Sequence, residues 1–226
     1  MCINRHWIVS NFNQNPAAVI ADLDGSFEIF NQGETDAVPE NLRKDGLFRQ
    51  SLHSGHNLSD YLQFIVENYE NLPDEVGFAK GNLFPRHISR DVFLKRKRQK
   101  GFVPLYSDTK TFAPNYGRIT KVRFKSQQIS PGLYIEINNG WYLNKRSQGR
   151  YYNRLDDMFL GLFKRPGPKY NPFVPGACMI VPKENILRWP RSLFQHLHEV
   201  TTYTHFPVEA FHLERAMFHL FGAQKE

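Results

Sequence analysis

Apolar positions along the chain fall into short blocks, some continuous or alternating, others spaced three and four apart. His6-Trp7-Ile8-Val9-Ser10 is a compact apolar run that ends in Asn11-Phe12-Asn13-Gln14-Asn15-Pro16. Asn and Pro favour turns, so this predicts a buried strand stopped by a polar loop. Residues 16–21 predict a short helix with Pro16 near its first turn. Phe27-Glu28-Ile29-Phe30 predicts a second strand, broken by Asn31-Gln32-Gly33. Strand, loop, helix and strand open an α/β unit with a parallel sheet.

The strongest helical pattern covers residues 58–69, with Leu58, Tyr61, Leu62, Ile65 and Tyr69 on one face. Asn57 is the expected N-cap and Pro73 the stop. Residues 75–79 predict a buried third strand that ends in Lys80-Gly81-Asn82. Residues 88–100 predict a helix with its charge outward, followed by an extended piece at 102–105. Residues 106–155 read as a loop-rich insertion with two alternating segments, 119–124 and 134–137. Pro175-Gly176 introduces a buried strand through residue 181, and helices are expected at 182–187, 190–200 and 207–221. In the last helix Phe211, Glu214, Phe218 and Phe221 are three or four apart, and Gly222 closes it. The expectation is a single α/β, Rossmann-like domain over residues 1–226. Its central sheet is mainly parallel, with helices on both faces.

Composition supports a folded core. Apolar residues make up 41% of 226 and charged residues 23%, with 19 Phe and 10 Tyr, which excludes a disordered chain. No apolar run reaches the roughly 18 residues that span a bilayer. The first seven residues carry no hydrophobic signal core, so the cytoplasm is the expected compartment. Two distant cysteines, Cys2 and Cys178, give neither a disulfide framework nor a thiolate zinc site. Cys178 lies in an apolar strand and is expected to be a buried, inert thiol.

Charge is uneven. Residues 1–85 carry a net −7, residues 86–125 a net +10 and residues 126–226 a net +4. The basic middle, including Lys95-Arg96-Lys97-Arg98 and Lys100, fits a solvated face or an attraction for phosphorylated ligands. Nucleic acid is not an expected partner, because no zinc finger, RNP-type motif or arginine-rich repeat accompanies the charge.

The blocks 55–74, 76–82 with His87, 175–186 and 213–218 together resemble the GT-A type of nucleotide-sugar glycosyltransferase. More closely, they resemble a glycosyltransferase-like family within that group without a clear Asp-x-Asp motif. The blocks cover about a third of the chain, and their order spans nearly all of it. The resemblance implies a nucleotide-sugar donor at the carboxyl ends of the first strands and a glycan, protein or small acceptor. It nominates Ser10, Asn11 and Asn13 after the first strand, and Asn31, Gln32 and Gly33 after the second. His56, Asn57 and Asp60 are nominated at the long helix, and Lys80, Gly81 and Asn82 after the third strand. Gly176, Ala177, Trp141 and Tyr142 are nominated for the acceptor side. Glu214 and Glu209 are the candidate bases for the acceptor hydroxyl.

Many such enzymes hold a Mn²⁺ or Mg²⁺ ion with an Asp-x-Asp pair after the strand that follows the long helix. Lys80-Gly81-Asn82 stands there instead, which makes the metal uncertain and offers Lys80 as a point charge on the leaving diphosphate. The spaced pair Asp22-Leu23-Asp24 lies too early in the chain, and Asp156-Asp157 is expected to open a helix. Two other classes remain open. A non-catalytic carbohydrate- or nucleotide-binding scaffold would use Trp7, Trp141, Trp189 and the tyrosines of the insertion, Tyr134, Tyr142, Tyr151 and Tyr152, for stacking. A metal hydrolase would draw on nine histidines, among them His53-x-x-His56, His196-x-His198 and the pair His212 and His219, but no HExxH or Cys/His spacing occurs.

Overall fold

The structure is a computed structural model that describes residues 4–108, 127–140, 142–143 and 148–222. The predicted strand at 119–124, Trp141 and Cys2 lie outside the described residues. The chain forms a mixed α/β fold around a six-stranded, mostly parallel sheet. Its strands are β1 (Arg5–Asn11), β2 (Ser26–Asn31), β3 (Phe48–Gln50), β4 (Glu75–Lys80), β5 (Val103–Pro104) and β9 (Met179–Pro182). Their order is β3-β2-β1-β4-β9-β5. The first four are mutually parallel, whereas β9 runs antiparallel to β4 and β5 antiparallel to β9.

Alternation along each strand divides the core. Ile8, Val76, Phe78, Met179 and Val181 face one side, where α2 (His56–Asn68), α7 (Arg191–Thr202) and α8 (Val208–Phe221) pack. Trp7, Ala79, Cys178 and Ile180 face the other, with Val19 of α1 (Ala17–Ile20), Leu83 of α3 (Leu83–Arg86) and Phe93 of α4 (Arg90–Arg96), while Ile186 of α6 (Lys183–Leu187) joins the first side. A period of two on strands buried on both faces is what a covered sheet requires. The short β3 had no counterpart among the expected strands. Three residues of mixed polarity, Phe48-Arg49-Gln50, carry too little periodicity to announce it.

The middle of β4 is set by one close approach. Gly77 pairs with Trp7 across the sheet, and a Cβ on Gly77 would sit 2.2 Å from the Trp7 ring. Trp7 is fully buried, so the indole has nowhere to move. Gly77→Ala is therefore expected to destabilise the fold by about 1–3 kcal/mol, the ordinary cost of overpacking a core. A urea midpoint unchanged from the wild type would contradict this packing.

The loop-rich region 106–155 supplies two strands of a second sheet, one of them at the alternating segment 134–137, and the third comes from beyond it. Strands β6 (Gln127–Ser130), β7 (Leu133–Ile137) and β8 (Tyr170–Phe173) pair antiparallel. It docks on α8, where Asn171 Nδ2 donates to the Arg215 carbonyl at 3.0 Å. Between β7 and β8 lies α5 (Leu155–Phe163), and Asp157 closes a capping box with Arg154, so the acidic pair does open a helix.

The outward charge expected of residues 88–100 is corrected in part. Lys95, Arg98 and Lys100 are exposed, but Arg96 is buried and donates to the carbonyls of Pro104 and Tyr106. Lys97 Nζ reaches the Asp22 carbonyl. A long cationic side chain can turn inward when backbone oxygens there need donors, and a charge count cannot see those oxygens.

Candidate active site

The chain runs from β1 outward to β3 and then returns to the other side of β1 as β4. The sheet order therefore reverses between β1 and β4. At such a switch point the loops after the two strands diverge and leave a crevice, where ligands of open α/β sheets bind. A cleft of about 370 Å³ lies there. Ser10, one residue before the end of β1, lies opposite Lys80, which ends β4, and both line the cleft with Gly81 and Asn82. Gln32, His56 and Asn57 complete the part of its wall nominated from sequence. A Cβ on Gly81 would lie 2.0 Å from Asn11 Oδ1, so a side chain there would collide with the loop after β1.

Asp60 lies beneath this wall, fully buried. Its Oδ2 accepts from Ser10 Oγ at 2.5 Å and Gln32 Nε2 at 2.9 Å. Burial pushes the carboxyl up to about 7, against the lowering pull of these bonds. Asp60 thus fixes two cleft side chains from behind. Asn11, Asn13, Asn31 and Gly33 form the frame of the two loops. Asn11 Nδ2 donates to Asn31 Oδ1 at 2.9 Å, and Asn13 Oδ1 accepts from Glu34 N at 2.7 Å. Asn31 Nδ2 also donates to the Gly33 carbonyl at 2.9 Å.

The start of α2 differs from the expected N-cap. Gly55 occupies the cap with φ +66°, and Asn57 is already helical. A Cβ on Gly55 would lie 2.4 Å from the Thr201 carbonyl, so only glycine fits this turn against the end of α7. Asn57 instead donates through Nδ2 to the Gly176 carbonyl at 3.1 Å. Gly176 N donates to Glu214 Oε1 at 2.9 Å. This chain ties α2, the turn before β9 and α8 into one wall, with Gly176 packed against the ring of His87.

Several nominated residues fall outside the cleft lining. Glu209 is buried, and its oxygens accept from Tyr151 N at 2.7 Å, Tyr152 N at 3.2 Å and Tyr203 OH at 2.8 Å. That is a structural carboxylate holding the 149–152 segment. Glu214 is engaged by Gly176 and lies 3.5 Å from Arg215, behind the wall. Ala177 is buried. Tyr142 bonds His212 Nδ1 at 3.0 Å and stacks on the Arg215 guanidinium at 3.9 Å.

Six lining residues carry no nomination from sequence: Phe12, Gln14, Ser54, Arg86, His205 and Phe206. His53 and His87, met above in other roles, also line it. Phe12 stacks on His53 at 4.4 Å, and His205 meets His53 edge-on at 4.0 Å. Phe206 lies 5.2 Å from His56. Phe12 and Phe206 are about half exposed, so these rings form an aromatic rim. Ser54 brings the rim together, because its Oγ donates to the carbonyls of Thr201 at 3.1 Å and Thr204 at 2.5 Å. An exposed Phe beside His in a loop was the only available signal, and it does not say which cleft the loop borders.

The lining has a distinct charge character. Lys80 and Arg86 are cationic, and among the described residues no Asp or Glu lines the cleft. Lys80 makes no ion pair with a described carboxylate within 4 Å. This donor set does not fit a divalent cation, since an ammonium stands where oxygen anions would be needed. Among the described residues no group of three or more His, Cys, Asp or Glu side chains is placed to share a metal. Asp22 and Asp24 lie by the amino end of β1, where Asp22 pairs with Arg90 at 2.5 Å and Asp24 with Arg5 at 3.0 Å. Of the histidines of the hydrolase reading, His53 and His56 line the cleft, whereas His196 bonds Tyr152 at 2.9 Å, His212 bonds Tyr142 at 3.0 Å and His219 bonds Asn171 at 3.0 Å. Cys178 is fully buried, and burial pushes its thiol up to about 11.

Among the described residues no helix is long and apolar enough to cross a membrane. No protein-family model, no curated protein and no solved structure matches the chain.

Proposed function

We propose that the chain is a glycosyltransferase of GT-A type that moves a sugar from a nucleotide-sugar donor to a glycan, protein or small acceptor. The observation that carries this reading is the cleft at the β1/β4 switch point. It combines two cations, an aromatic rim and no carboxylate among the described residues. A nucleoside diphosphate has matching parts: a flat base that stacks on rings, and a dianionic group that seeks Lys and Arg. Lys80 and Arg86 take the place of a metal ion, offsetting the charge that develops on the diphosphate as it departs.

The same lining also favours the alternative of a non-catalytic nucleotide- or carbohydrate-binding scaffold, because no described carboxylate lines the cleft as a base. Binding and turnover separate the two. UDP, GDP, CMP and dTDP, each with and without Mn²⁺, are tested for a rise in melting temperature. One nucleotide is expected to raise it without Mn²⁺. Lys80→Met is expected to weaken that nucleotide about 10- to 100-fold, the worth of a charge-assisted hydrogen bond of ~1.5–3 kcal/mol. The variant's own melting temperature should stay close to wild type, since Lys80 makes no ion pair with a described carboxylate. No shift with any nucleotide would overturn the donor-site reading. A shift that requires Mn²⁺ would overturn the metal-free holding of the diphosphate.

A further inference from the structure

Four imidazoles line the cleft among the described residues: His53, His56, His87 and His205. His205 Nδ1 is bonded to the His53 carbonyl at 2.8 Å. His53 is exposed on the rim, stacked on Phe12. His87 is buried and packed against Gly176. His56 differs from all three. It lies between Phe206 and Phe211, with ring centroids 5.2 Å from each. No described group hydrogen-bonds either of its ring nitrogens, and Nε2 is shielded from solvent without a partner. A polar atom left in that state is costly unless a ligand uses it. The residue is also held at φ +54°, a conformation that side chains other than Gly and Asn adopt rarely.

We infer that His56 is the base of the transfer reaction, and this rests on the glycosyltransferase reading above. The acceptor hydroxyl gives its proton to the His56 imidazole as its oxygen bonds to the anomeric carbon. The bond from that carbon to the diphosphate oxygen breaks, and its electron pair leaves on the diphosphate beside Lys80. Charges around the ring suit both stages. Burial and the ammonium of Lys80 on β4 hold the imidazole below its ordinary 6.5, so it is neutral and competent at pH 7. His205 and His53 push the same way, while Glu214 on α8 pulls upward and offsets the imidazolium once formed.

The test uses His56→Asn, because Asn tolerates the left-handed backbone and cannot take the proton. His56→Gln serves as a second variant. Nucleotide binding is read from the thermal shift. Turnover is read from hydrolysis of UDP-glucose, UDP-galactose, UDP-N-acetylglucosamine and GDP-mannose, with water as acceptor. The expected result is a preserved nucleotide shift with turnover reduced about 100-fold or more. The wild-type rate should rise with pH through an apparent value below 6.5, a limb absent from the residual activity of both variants. Near-wild-type turnover in either variant, or a pH limb that survives substitution, would overturn the role of His56 alone. Donor binding without hydrolysis by the wild type would also overturn it, leaving the cleft a binder. No nucleotide shift in the wild type would remove the donor-site reading itself.

Discussion

Replacing Arg215 with alanine is expected to destabilise the fold by about 3–5 kcal/mol, the usual consequence of leaving half of a buried ion pair behind. Arg215 Nε donates to Glu136 Oε1 at 2.9 Å, and the two side chains are only 5% and 2% exposed. The guanidinium also lies over the Tyr142 ring at 3.9 Å and the Phe173 ring at 5.2 Å. Arg215 therefore fastens β7 and β8 of the small sheet to α8, and its loss leaves the Glu136 charge inside without its guanidinium. The double variant Arg215→Met, Glu136→Leu removes both charges and fills the space. It is expected to recover most of the loss, because the two desolvation costs disappear together. Chemical denaturation of the two variants beside the wild type decides the point. A loss under about 1 kcal/mol for Arg215→Ala would mean the pair contributes little to holding the sheets together.

The second large effect is a dependence of stability on pH centred on Asp60. Its carboxyl is held near 7 in the folded chain against an ordinary 3.8. Below about 4 the group is protonated in both states and stability is fully present. Between about 4 and 7 the unfolded chain has lost the proton while the folded chain keeps it, so stability falls as pH rises. Above 7 the loss levels off. The three-unit gap corresponds to an order of magnitude of about 4 kcal/mol. Asp60→Asn keeps an oxygen for Ser10 and Gln32 and carries no charge. It is expected to be more stable than wild type at pH 8, with the advantage vanishing at pH 4. Urea midpoints of the pair at pH 4, 6 and 8 would show this, and a difference independent of pH would sink it.

The residues that these experiments probe were not equally visible in the chain. Strands β1, β2, β4 and β9 and helices α2, α7 and α8 follow from local patterning, because burial on a sheet or a helix face imposes a period that the sequence must carry. The loops after β1 and β4 were visible for the same reason. Once the strands are placed, their carboxyl ends are known, which locates Ser10, Gln32 and Lys80, while His56 at the start of α2 was nominated only by the resemblance. Asp60 was visible as a helix residue, but not as a buried carboxyl beneath the cleft.

Strand direction, register between distant segments and the closing of the cleft lie beyond a local pattern. The same apolar run fits a parallel or an antiparallel β9. Its antiparallel course brings Gly176 to the end of β4, where Asn57 and Glu214 hold it. His205 and Phe206 reach the rim only because Ser54 bonds the end of α7, some 150 residues away in sequence. Arg96 read as an outward charge and Glu209 as a candidate base, and both proved to be buried, because the oxygens and amides that satisfy them come from segments folded onto them. The sequence by itself determined most of the strands and helices, their succession along the chain and the Lys80-Gly81-Asn82 segment that ends β4, since each is written in neighbouring residues. Only the tertiary structure decided which side chains share the cleft and which charges are consumed, because those are long-range contacts whose energies appear only when the distant partners meet.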